Sequence, residues 1–241
     1  MSKLYKTEAI VIRQMKYGES SLILDMYTRE KGMRSFIVSG IRGKKSKSAI
    51  YQIMNQLEIV AYDSGSQKLN RIKETKLSTI YQSLGRNMVK SSIGIFMMDL
   101  FKQAVKEHEE NSSLYEFLLK SLNILDQSSE KLSIFPLVFT LGLSEQLGFF
   151  PQNNFSTNTP RFSLMEGAFV SDQETSQYIL SLDLSLVLTN VLAYLTNDQT
   201  LIIPNKLVRN EILSQLINFY KLQLDGFGEL KSLQVMQSLF E

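Results

Sequence analysis

One stretch decides the fold of the N-terminal part of the chain: residues 6–41, KTEAIVIRQMKYGESSLILDMYTREKGMRSFIVSGI. It holds three short runs rich in β-branched and aromatic residues, separated by turns that contain glycine. Two more such runs follow, so the sequence predicts five strands: Lys6–Arg13, Ser20–Thr28, Arg34–Ile41, Leu57–Tyr62 and Leu69–Leu77. Five closely spaced short strands are typical of an OB-fold, a small Greek-key barrel whose face binds oligonucleotides. An SH3-like barrel has similar spacing, and the number of strands does not choose between the two.

Beyond Thr79 the apolar residues recur every three or four positions, which is the period of a helix. The sequence predicts helices at Ser83–His108, Ser112–Leu125, Leu132–Leu147, Leu182–Leu195, Asn205–Leu222 and Leu230–Phe240. Residues 148–172 are dense in Gly, Pro, Asn, Ser and Thr, and they predict a loop-rich insertion with one short hairpin. We therefore predict an α+β protein with two domains: a five-stranded OB-fold barrel over residues 1–80, and an all-α helical domain over residues 81–241 that carries this insertion.

The charge is divided between the same two parts. The 241 residues carry a formal net charge of +2. Residues 1–80 hold 15 Lys+Arg against 7 Asp+Glu, whereas residues 81–241 hold 11 against 17. A predicted barrel with a net charge of +8, beside helices with a net charge of −6, indicates a basic module that binds a polyanion.

The composition excludes several kinds of site. The chain has no cysteine, and therefore no disulfide, no thiolate zinc site and no cysteine nucleophile. The single histidine, His108, lies at a predicted helix end, which favours a solvated residue over a general base or metal ligand. No recognisable nucleophile motif is present, so we expect no enzyme activity and no cofactor. The N-terminus lacks a signal-peptide pattern and the uncharged apolar stretches are too short to cross a membrane, so we expect a cytoplasmic protein.

Basic residues concentrate between Arg13 and Lys47, where nine Lys and Arg stand against three Asp and Glu. Phosphate groups are bound by such clusters because each neutralised phosphate releases counterions. The predicted phosphate contacts are Arg13, Lys16, Arg29, Lys31, Arg34, Arg42, Lys44, Lys45 and Lys47. Tyr17 and Tyr27 lie among these cations and are predicted to stack on bases, whereas Phe36 is assigned to the core. A charged loop by itself is usually only solvated, and it is the charge of the whole predicted barrel that favours nucleic acid.

The segment Thr7–Lys47, TEAIVIRQMKYGESSLILDMYTREKGMRSFIVSGIRGKKSK, resembles the N-terminal OB domain of the RecO family of bacterial recombination mediators. The matching features, in order, are an apolar strand ending in Arg13, then Tyr17-Gly18-Glu19-Ser20-Ser21, Thr28-Arg29-Glu30, Gly32, and a Gly-x-Arg loop with basic residues from Gly40 to Lys47. Leu147-Gly148-Phe149-Phe150-Pro151 and Leu230-Lys231-Ser232 resemble two later segments of the family. The resemblance therefore covers nearly the full length of the chain.

The chain departs from the family in one respect. Many members carry a four-cysteine zinc module after the Leu-Gly-x-x-Pro segment, and this chain has Gln152–Asp172 there, without cysteine. Arg161–Phe169 still resembles the hairpin of that module. The resemblance thus implies that the subdomain remains, while zinc is not carried over.

The resemblance implies a function in the RecF pathway: binding of single- and double-stranded DNA, annealing of complementary strands, and help in loading the recombinase onto DNA coated by single-stranded-DNA-binding protein. The implied partners are RecR and the C-terminal tail of the single-stranded-DNA-binding protein, and the implied location is the cytoplasm, in association with the nucleoid. In the family that acidic tail docks on the helical body, where Lys90, Lys102, Lys106 and Lys120 are candidate contributors here.

Two alternatives stay open on the residues alone. One is an adaptor whose basic barrel binds an acidic protein partner and not nucleic acid. The other is an RNA-binding OB-fold protein, which only a contact to the 2′-hydroxyl would distinguish from a DNA-binding one at a given site.

Overall fold

The structure is a computed structural model that describes residues 3–40, 48–65, 68–106, 108–129, 132–197 and 205–238. The chain folds into two compact units, Met1–Ser128 and Ser129–Glu241. The first unit thus includes two helices in addition to the strands. The change from strands to helices occurs between Leu77 and Met88, near the predicted boundary at residue 80. As a division into domains, that boundary stays a prediction.

Five strands form a closed barrel in the first unit. They are β1 Leu4–Tyr17, β2 Ser21–Thr28, β3 Gly32–Ser39, β4 Gln56–Tyr62 and β5 Asn70–Leu77. Their hydrogen-bonded order is β1-β2-β3-β5-β4, and β4 returns to β1. The β3–β5 pair is parallel and the other pairs are antiparallel. This is the five-stranded OB-fold barrel that the sequence predicts, and the strand order sets the SH3-like alternative aside.

Alternation along the strands fills the barrel with apolar side chains. The interior cluster consists of Ala9, Val11, Leu22, Leu24, Met26, Phe36, Val38, Tyr51, Leu57, Ile59, Ala61 and Ile72. Phe36 is fully buried in it, as predicted. Tyr51 comes from the helical turn Ser48–Tyr51, and the other members occupy every second position of their strands. The intervening strand residues therefore form the outer surface on which a ligand could bind.

Two helices belong to the same unit, α1 Met88–Ala104 and α2 Ser112–Gln127. Asn87 and Asn111 cap them, because their side-chain oxygens accept hydrogen bonds from backbone N–H groups in the first turn. Helix α1 is shorter at both ends than the predicted Ser83–His108. The residues before it form a turn instead, because the Asp126 carboxylate accepts hydrogen bonds from three successive backbone N–H groups, those of Gln82, Ser83 and Leu84.

The second unit, over its described residues, is helical with one short hairpin. Its helices are α3 Phe135–Gln146, α4 Leu182–Asn197, α5 Lys206–Gln223 and α6 Ser232–Ser238. Pro136 lies in the first turn of α3, where its missing N–H has no intrahelical partner to lose. The predicted hairpin is present within the loop-rich insertion: β6 Arg161–Ser163 pairs antiparallel with β7 Ala168–Val170.

Aromatic rings hold this hairpin in the second unit. Phe149, Phe162, Phe169, Phe219 and Tyr220 make edge-to-face contacts with ring centroids 4.8 to 6.0 Å apart. Such pairs add stabilisation beyond the burial of their area.

Within the described ranges, no group of three or more His, Asp or Glu is placed to hold a metal ion. None of the helices in those ranges is long and apolar enough to span a membrane.

Candidate nucleic-acid interface

A bulge in β1 decides which residues of the predicted site face outward. Val11 faces the barrel core, whereas Arg13, only two residues later, pairs with the outward residue Asp25 of β2. The register shifts between these positions, so the extra residue reverses the alternation. Arg13, Met15 and Tyr17 therefore lie on the outer surface of the barrel.

Lys16 lies on the opposite side of β1 from these residues. It lines a cavity of about 440 Å³ at the mouth of the barrel, together with Gln14 and Leu22. Lys16 is exposed and makes no ion pair with any described residue. It can meet a phosphate, but at the barrel mouth and not on the surface formed by Arg13 and Tyr17.

The helices cover one half of the outer surface of β1 and β2. Tyr27 is fully buried there, with its ring 4.9 Å from that of Phe101 in α1 and 6.4 Å from that of Tyr115 in α2. Toward the turn between β1 and β2, Met15 is 39% exposed and its neighbour Ile23 is half-buried. The half of the surface near this turn is therefore the part open to a ligand.

The burial of Tyr27 corrects one prediction. A base could not stack on this ring unless both helices moved away, so Tyr27 serves the packing of the helices on the barrel. Strand alternation places Tyr27 on the outer surface of the barrel, but on the part of that surface that α1 and α2 cover. Tyr17, by contrast, is 56% exposed, and base stacking on it stays a prediction.

One row of outward residues crosses all the strands of the barrel in the open half. In the order β1-β2-β3-β5-β4, the row consists of Met15, Ile23, Ile37, Arg71 and Tyr62. Three apolar side chains lie next to a cation and an aromatic ring. This combination suits an unpaired nucleic-acid strand, because its bases can pack on apolar and aromatic groups while its phosphates attract the cation.

Sequence reasoning missed three basic residues of this surface: Lys68, Arg71 and Lys73. All three are exposed, and Arg71 and Lys68 make no ion pair with any described residue. They are distant in sequence from the basic segment 13–47, and the parallel pairing of Ile37 with Arg71 brings them beside it. The signal that could have found Arg71 is the alternation of β5, which leaves it on the exposed side. Lys68 precedes that strand, and Lys73 falls at its register shift against β4, so alternation does not place them.

A cavity of about 490 Å³ opens on the same surface. Its lining includes Met15, Ile23, Asp25 and Ser35 from the strands, and Lys68 from the loop between β4 and β5. Arg34 and His108 complete its polar wall, so the lining is apolar in part and holds one carboxylate and two cations, Lys68 and Arg34. A groove of this composition can take a base or sugar of a bound strand next to the row described above.

Two predicted phosphate contacts already bind carboxylates. Arg29 donates to Glu8 at 2.8 Å and to Glu116 of α2 at 2.5 Å, and its guanidinium lies over the ring of Tyr115. Burial opposes the charge of Arg29, but the hydrogen bonds with Glu116 and Glu8 outweigh it and raise its pKa. These contacts favour a structural role, in which Arg29 joins the end of β2 to α2.

Lys31 is engaged in a similar way. Its Nζ lies 2.6 Å from the Asp63 carboxylate and 4.7 Å from the centre of the Tyr5 ring. The hydrogen bond from Lys31 is the main reason that the pKa of Asp63 lies below its ordinary value. Phosphate binding by Lys31 would require this pair to open.

Arg34 is only 8% exposed, and it lines the 490 Å³ cavity described above. It donates hydrogen bonds to the carbonyl oxygens of Met33, at 3.0 Å, and His108, at 2.7 Å, and burial lowers its pKa. The Nδ1 of His108 in turn lies 2.7 Å from the Met33 carbonyl oxygen. The prediction that His108 lies at a solvated helix end is therefore wrong: α1 ends earlier, and His108, although exposed, docks on β3.

The lysines suggested for the acidic tail differ in accessibility. Lys90 is buried, with its Nζ 2.7 Å from both the Ser83 hydroxyl and the Asp126 carbonyl oxygen, so it is corrected to a structural residue. Lys102 contacts the Asp25 carboxylate at 3.1 Å. Lys106 and Lys120 are exposed.

The four remaining predicted contacts, Arg42, Lys44, Lys45 and Lys47, lie outside the described residues. The chain leaves the described part at Gly40 and re-enters it at Ser48. Gly40 lines a cavity with Lys73, and Ser48 lines the cavity at the barrel mouth with Lys16. The residues that flank this basic segment thus lie beside cations of the barrel.

The barrel order, its open basic and apolar surface, and the helices that follow define a class: an OB-fold protein with a helical C-terminal part. Family models narrow the class. The model described as recombination protein O N terminal matches residues 1–81, and the one described as recombination protein O C terminal matches residues 85–162. The chain belongs to the RecO family.

Full-length relatives agree with this assignment. A protein named DNA repair protein RecO from Christiangramia forsetii is 34% identical over 240 residues, which cover 98% of this chain and 99% of the relative. Proteins of the same name from Flavobacterium psychrophilum and Phocaeicola vulgatus are each 32% identical and cover 98% of this chain. The similarity therefore extends through the barrel, the insertion and the C-terminal helices.

Proposed function

We propose that this chain is a DNA repair protein that acts as a recombination mediator without catalytic activity of its own. It binds single- and double-stranded DNA, promotes annealing, and helps to load the recombinase onto DNA coated by single-stranded-DNA-binding protein. The observation that carries the proposal is the row of Met15, Ile23, Ile37 and Arg71 on the open face of an OB-fold barrel, in a family whose relatives are named for DNA repair.

In this proposal each group has a role. Arg13, Arg71, Lys68 and Lys73 neutralise phosphates along the open face, and Lys16 at the barrel mouth extends the charge around the β1–β2 turn. Bases of a single strand pack on the apolar residues of the row and stack on Tyr17. A duplex, whose bases are already stacked, uses only the cations, so its binding is the more dependent on salt.

Annealing follows from the same arrangement. Cations on the barrel reduce the repulsion between two approaching strands, and this term does not depend on sequence. Apolar side chains such as Met15 and Ile37 contact the faces of bases but make no hydrogen bonds with their edges. The edges remain free to pair with a complementary strand.

We propose RecR and the acidic tail of the single-stranded-DNA-binding protein as partners, and a cytoplasmic location in association with the nucleoid. Lys106 and Lys120 are accessible cations that an acidic tail could use. Binding of the tail peptide to wild type and to a Lys106→Glu/Lys120→Glu variant, measured by fluorescence anisotropy, tests this contact; equal affinities would remove these two residues from it.

The central experiment is a salt titration of the affinity for a labelled oligothymidine. Lys68→Glu/Arg71→Glu should weaken binding at least tenfold and reduce the slope of log affinity against log salt by about 1.4, since each single-strand phosphate contact contributes about 0.7. The matched control is Lys6→Glu/Lys76→Glu, which makes the same charge change at exposed lysines bound to Glu58 of β4. Equal losses in both variants would show that only net charge matters.

A second variant tests the basic segment. Arg42, Lys44, Lys45 and Lys47 changed together to Glu should reduce both affinity and salt slope, and unchanged values would exclude the segment from the site.

Competition by matched RNA and by an acidic peptide separates the two alternatives, an RNA-binding protein and an adaptor. Preference for RNA supports an RNA-binding protein, and binding of the peptide without retention of DNA supports an adaptor. An annealing assay with and without single-stranded-DNA-binding protein tests the mediator role.

A further inference from the structure

Asp25 is an acidic residue at the border between the open half of the candidate interface and the half that the helices cover. It lies on the outer surface of β2, where its register neighbours are Arg13 of β1 and Ser35 of β3. On one side of it the helices cover Tyr27, and on the other side the surface around Ile23 is open. An acid in this position repels the phosphates that the surrounding cations attract.

The carboxylate of Asp25 binds three donors that a phosphate could use. The Ser35 hydroxyl donates to it at 2.8 Å, the Lys102 Nζ lies 3.1 Å away, and the Arg13 Nε lies 3.5 Å away. These donors come from three different elements. Phosphate groups bound to proteins accept hydrogen bonds from the same kinds of donor, namely arginine, lysine and hydroxyl groups. Asp25 thus occupies, in the protein without nucleic acid, a place that suits a phosphate.

The exposure of the side chains supports this comparison of Asp25 with a bound phosphate. The Arg13 side chain is 41% exposed, so a ligand can reach its guanidinium, whereas the Asp25 side chain is 16% exposed and lies beneath it. Arg13 also contacts the sulfur of Met15, which keeps the guanidinium over the surface of β1. A phosphate that approaches from solvent must therefore draw Arg13 away from Asp25.

We propose that Asp25 is an internal competitor for phosphate, which holds Arg13 and Lys102 on the barrel and thereby limits the affinity of this surface for nucleic acid. The proposal rests on the proposed function, because it concerns the same surface. A limited affinity matches the work of a mediator, which must release strands after they pair. Lys102 is on α1, so the exchange of donors also couples binding on the open face to the helix that covers the other half.

The experiment is the salt titration of oligothymidine binding, with Asp25→Asn as the variant. The amide oxygen can still accept the Ser35 hydrogen bond, while the charge that holds the two cations is lost. Affinity should rise roughly three- to fivefold, the range of an exposed ion pair, and the salt slope should become steeper by about 0.7 for each cation that gains a phosphate. The matched control is Glu58→Gln, which removes one charge from a carboxylate bound to two lysines on the strands around β4.

Double variants separate competition from general electrostatics. In an Arg13→Gln/Lys102→Gln background, Asp25→Asn should give only a gain as small as that of Glu58→Gln, from reduced repulsion of phosphate, and no change in salt slope. A gain in the wild-type background that only equals that of Glu58→Gln, or a larger gain that persists without the two cations, would overturn the proposal. Wild type that fails to bind DNA at all would instead refute the proposed function, so the two failures are distinguishable. Thermal denaturation of each variant identifies any loss of folding.

Discussion

The sulfur of Met54 occupies the space that a β-carbon on Gly94 would need, so the loop before β4 packs directly against the middle of α1. The backbone N–H of Met54 donates to the Val11 carbonyl oxygen at 2.8 Å. Its φ of 77° lies in the left-handed region, which non-glycine residues rarely adopt. This contact is one reason that α1 stays on the barrel and leaves only part of its outer surface open.

Gly94→Ala should therefore lower the stability of the protein. Overpacking costs about 1–3 kcal/mol, and the better helix propensity of alanine offsets about 1 kcal/mol of it. We expect a net loss of roughly 1 kcal/mol in urea denaturation. In a Met54→Ala background, where the space is empty, the same change should be neutral or stabilising; an unchanged loss there would refute the contact.

Asp126→Ala should destabilise the first unit. Its carboxylate accepts hydrogen bonds from the backbone N–H groups of Gln82, Ser83 and Leu84. Loss of charged hydrogen bonds with their donors left in place costs about 2–3 kcal/mol. Asp183→Ala, at an exposed site in the first turn of α4, is the control and should change stability little. A loss of stability in Asp183→Ala as large as that in Asp126→Ala would contradict a stabilising role of the Asp126 hydrogen bonds.

Asp126 also predicts a dependence of stability on pH. Burial raises its pKa, but the hydrogen bonds from the backbone outweigh this and hold the pKa below its ordinary value of 3.8. A carboxyl whose pKa is lowered by folding stabilises the folded state above its unfolded pKa, and this contribution is lost as the pH falls through the folded pKa. Wild type should lose stability below about pH 5 more steeply than Asp126→Asn. Urea denaturation at several pH values measures both slopes, and parallel curves would contradict the assignment.

Arg29 and Arg71 should give opposite phenotypes. Arg29→Gln removes the ion pairs with Glu8 and Glu116, so it should lower stability by about 1–2 kcal/mol and leave the salt slope of DNA binding unchanged. Arg71→Gln should leave the melting temperature unchanged and reduce the salt slope by about 0.7. Melting curves and salt titrations of the two variants check this. A reduced salt slope in Arg29→Gln would return Arg29 to the interface.

Tyr17 and Tyr27 provide a similar comparison. Tyr27→Ala removes a fully buried ring and should cost about 3–5 kcal/mol of stability. Tyr17→Ala, at a side chain that is 56% exposed, should not change stability and should weaken oligothymidine binding by about 1–3 kcal/mol if the ring stacks on a base. Binding that is unaffected by Tyr17→Ala would limit the interface to phosphate and apolar contacts.

Local patterns were sufficient for most of the secondary structure. The five strands, the caps at Asn111 and Asn205, the proline in the first turn of α3 and the hairpin near Arg161 were all predictable, because each depends on neighbours in the sequence. The two ends of α1 were not, because they depend on Asp126 at one side and on the docking of His108 against β3 at the other. Both partners are distant in the chain.

The candidate site shows the same limit. The sequence by itself determined a basic OB-fold barrel followed by helices, because strand period, helix period and charge are properties of short segments. Only the tertiary structure decided which of the predicted site residues are available. The bulge after Val11 turns Arg13 outward, and the parallel β3–β5 pair adds Arg71. By contrast, α1 and α2 bury Tyr27, and acidic partners hold Arg29 and Lys31. Whether a charge is free to bind a ligand depends on what lies beside it in space, and alternation along one strand does not contain that information.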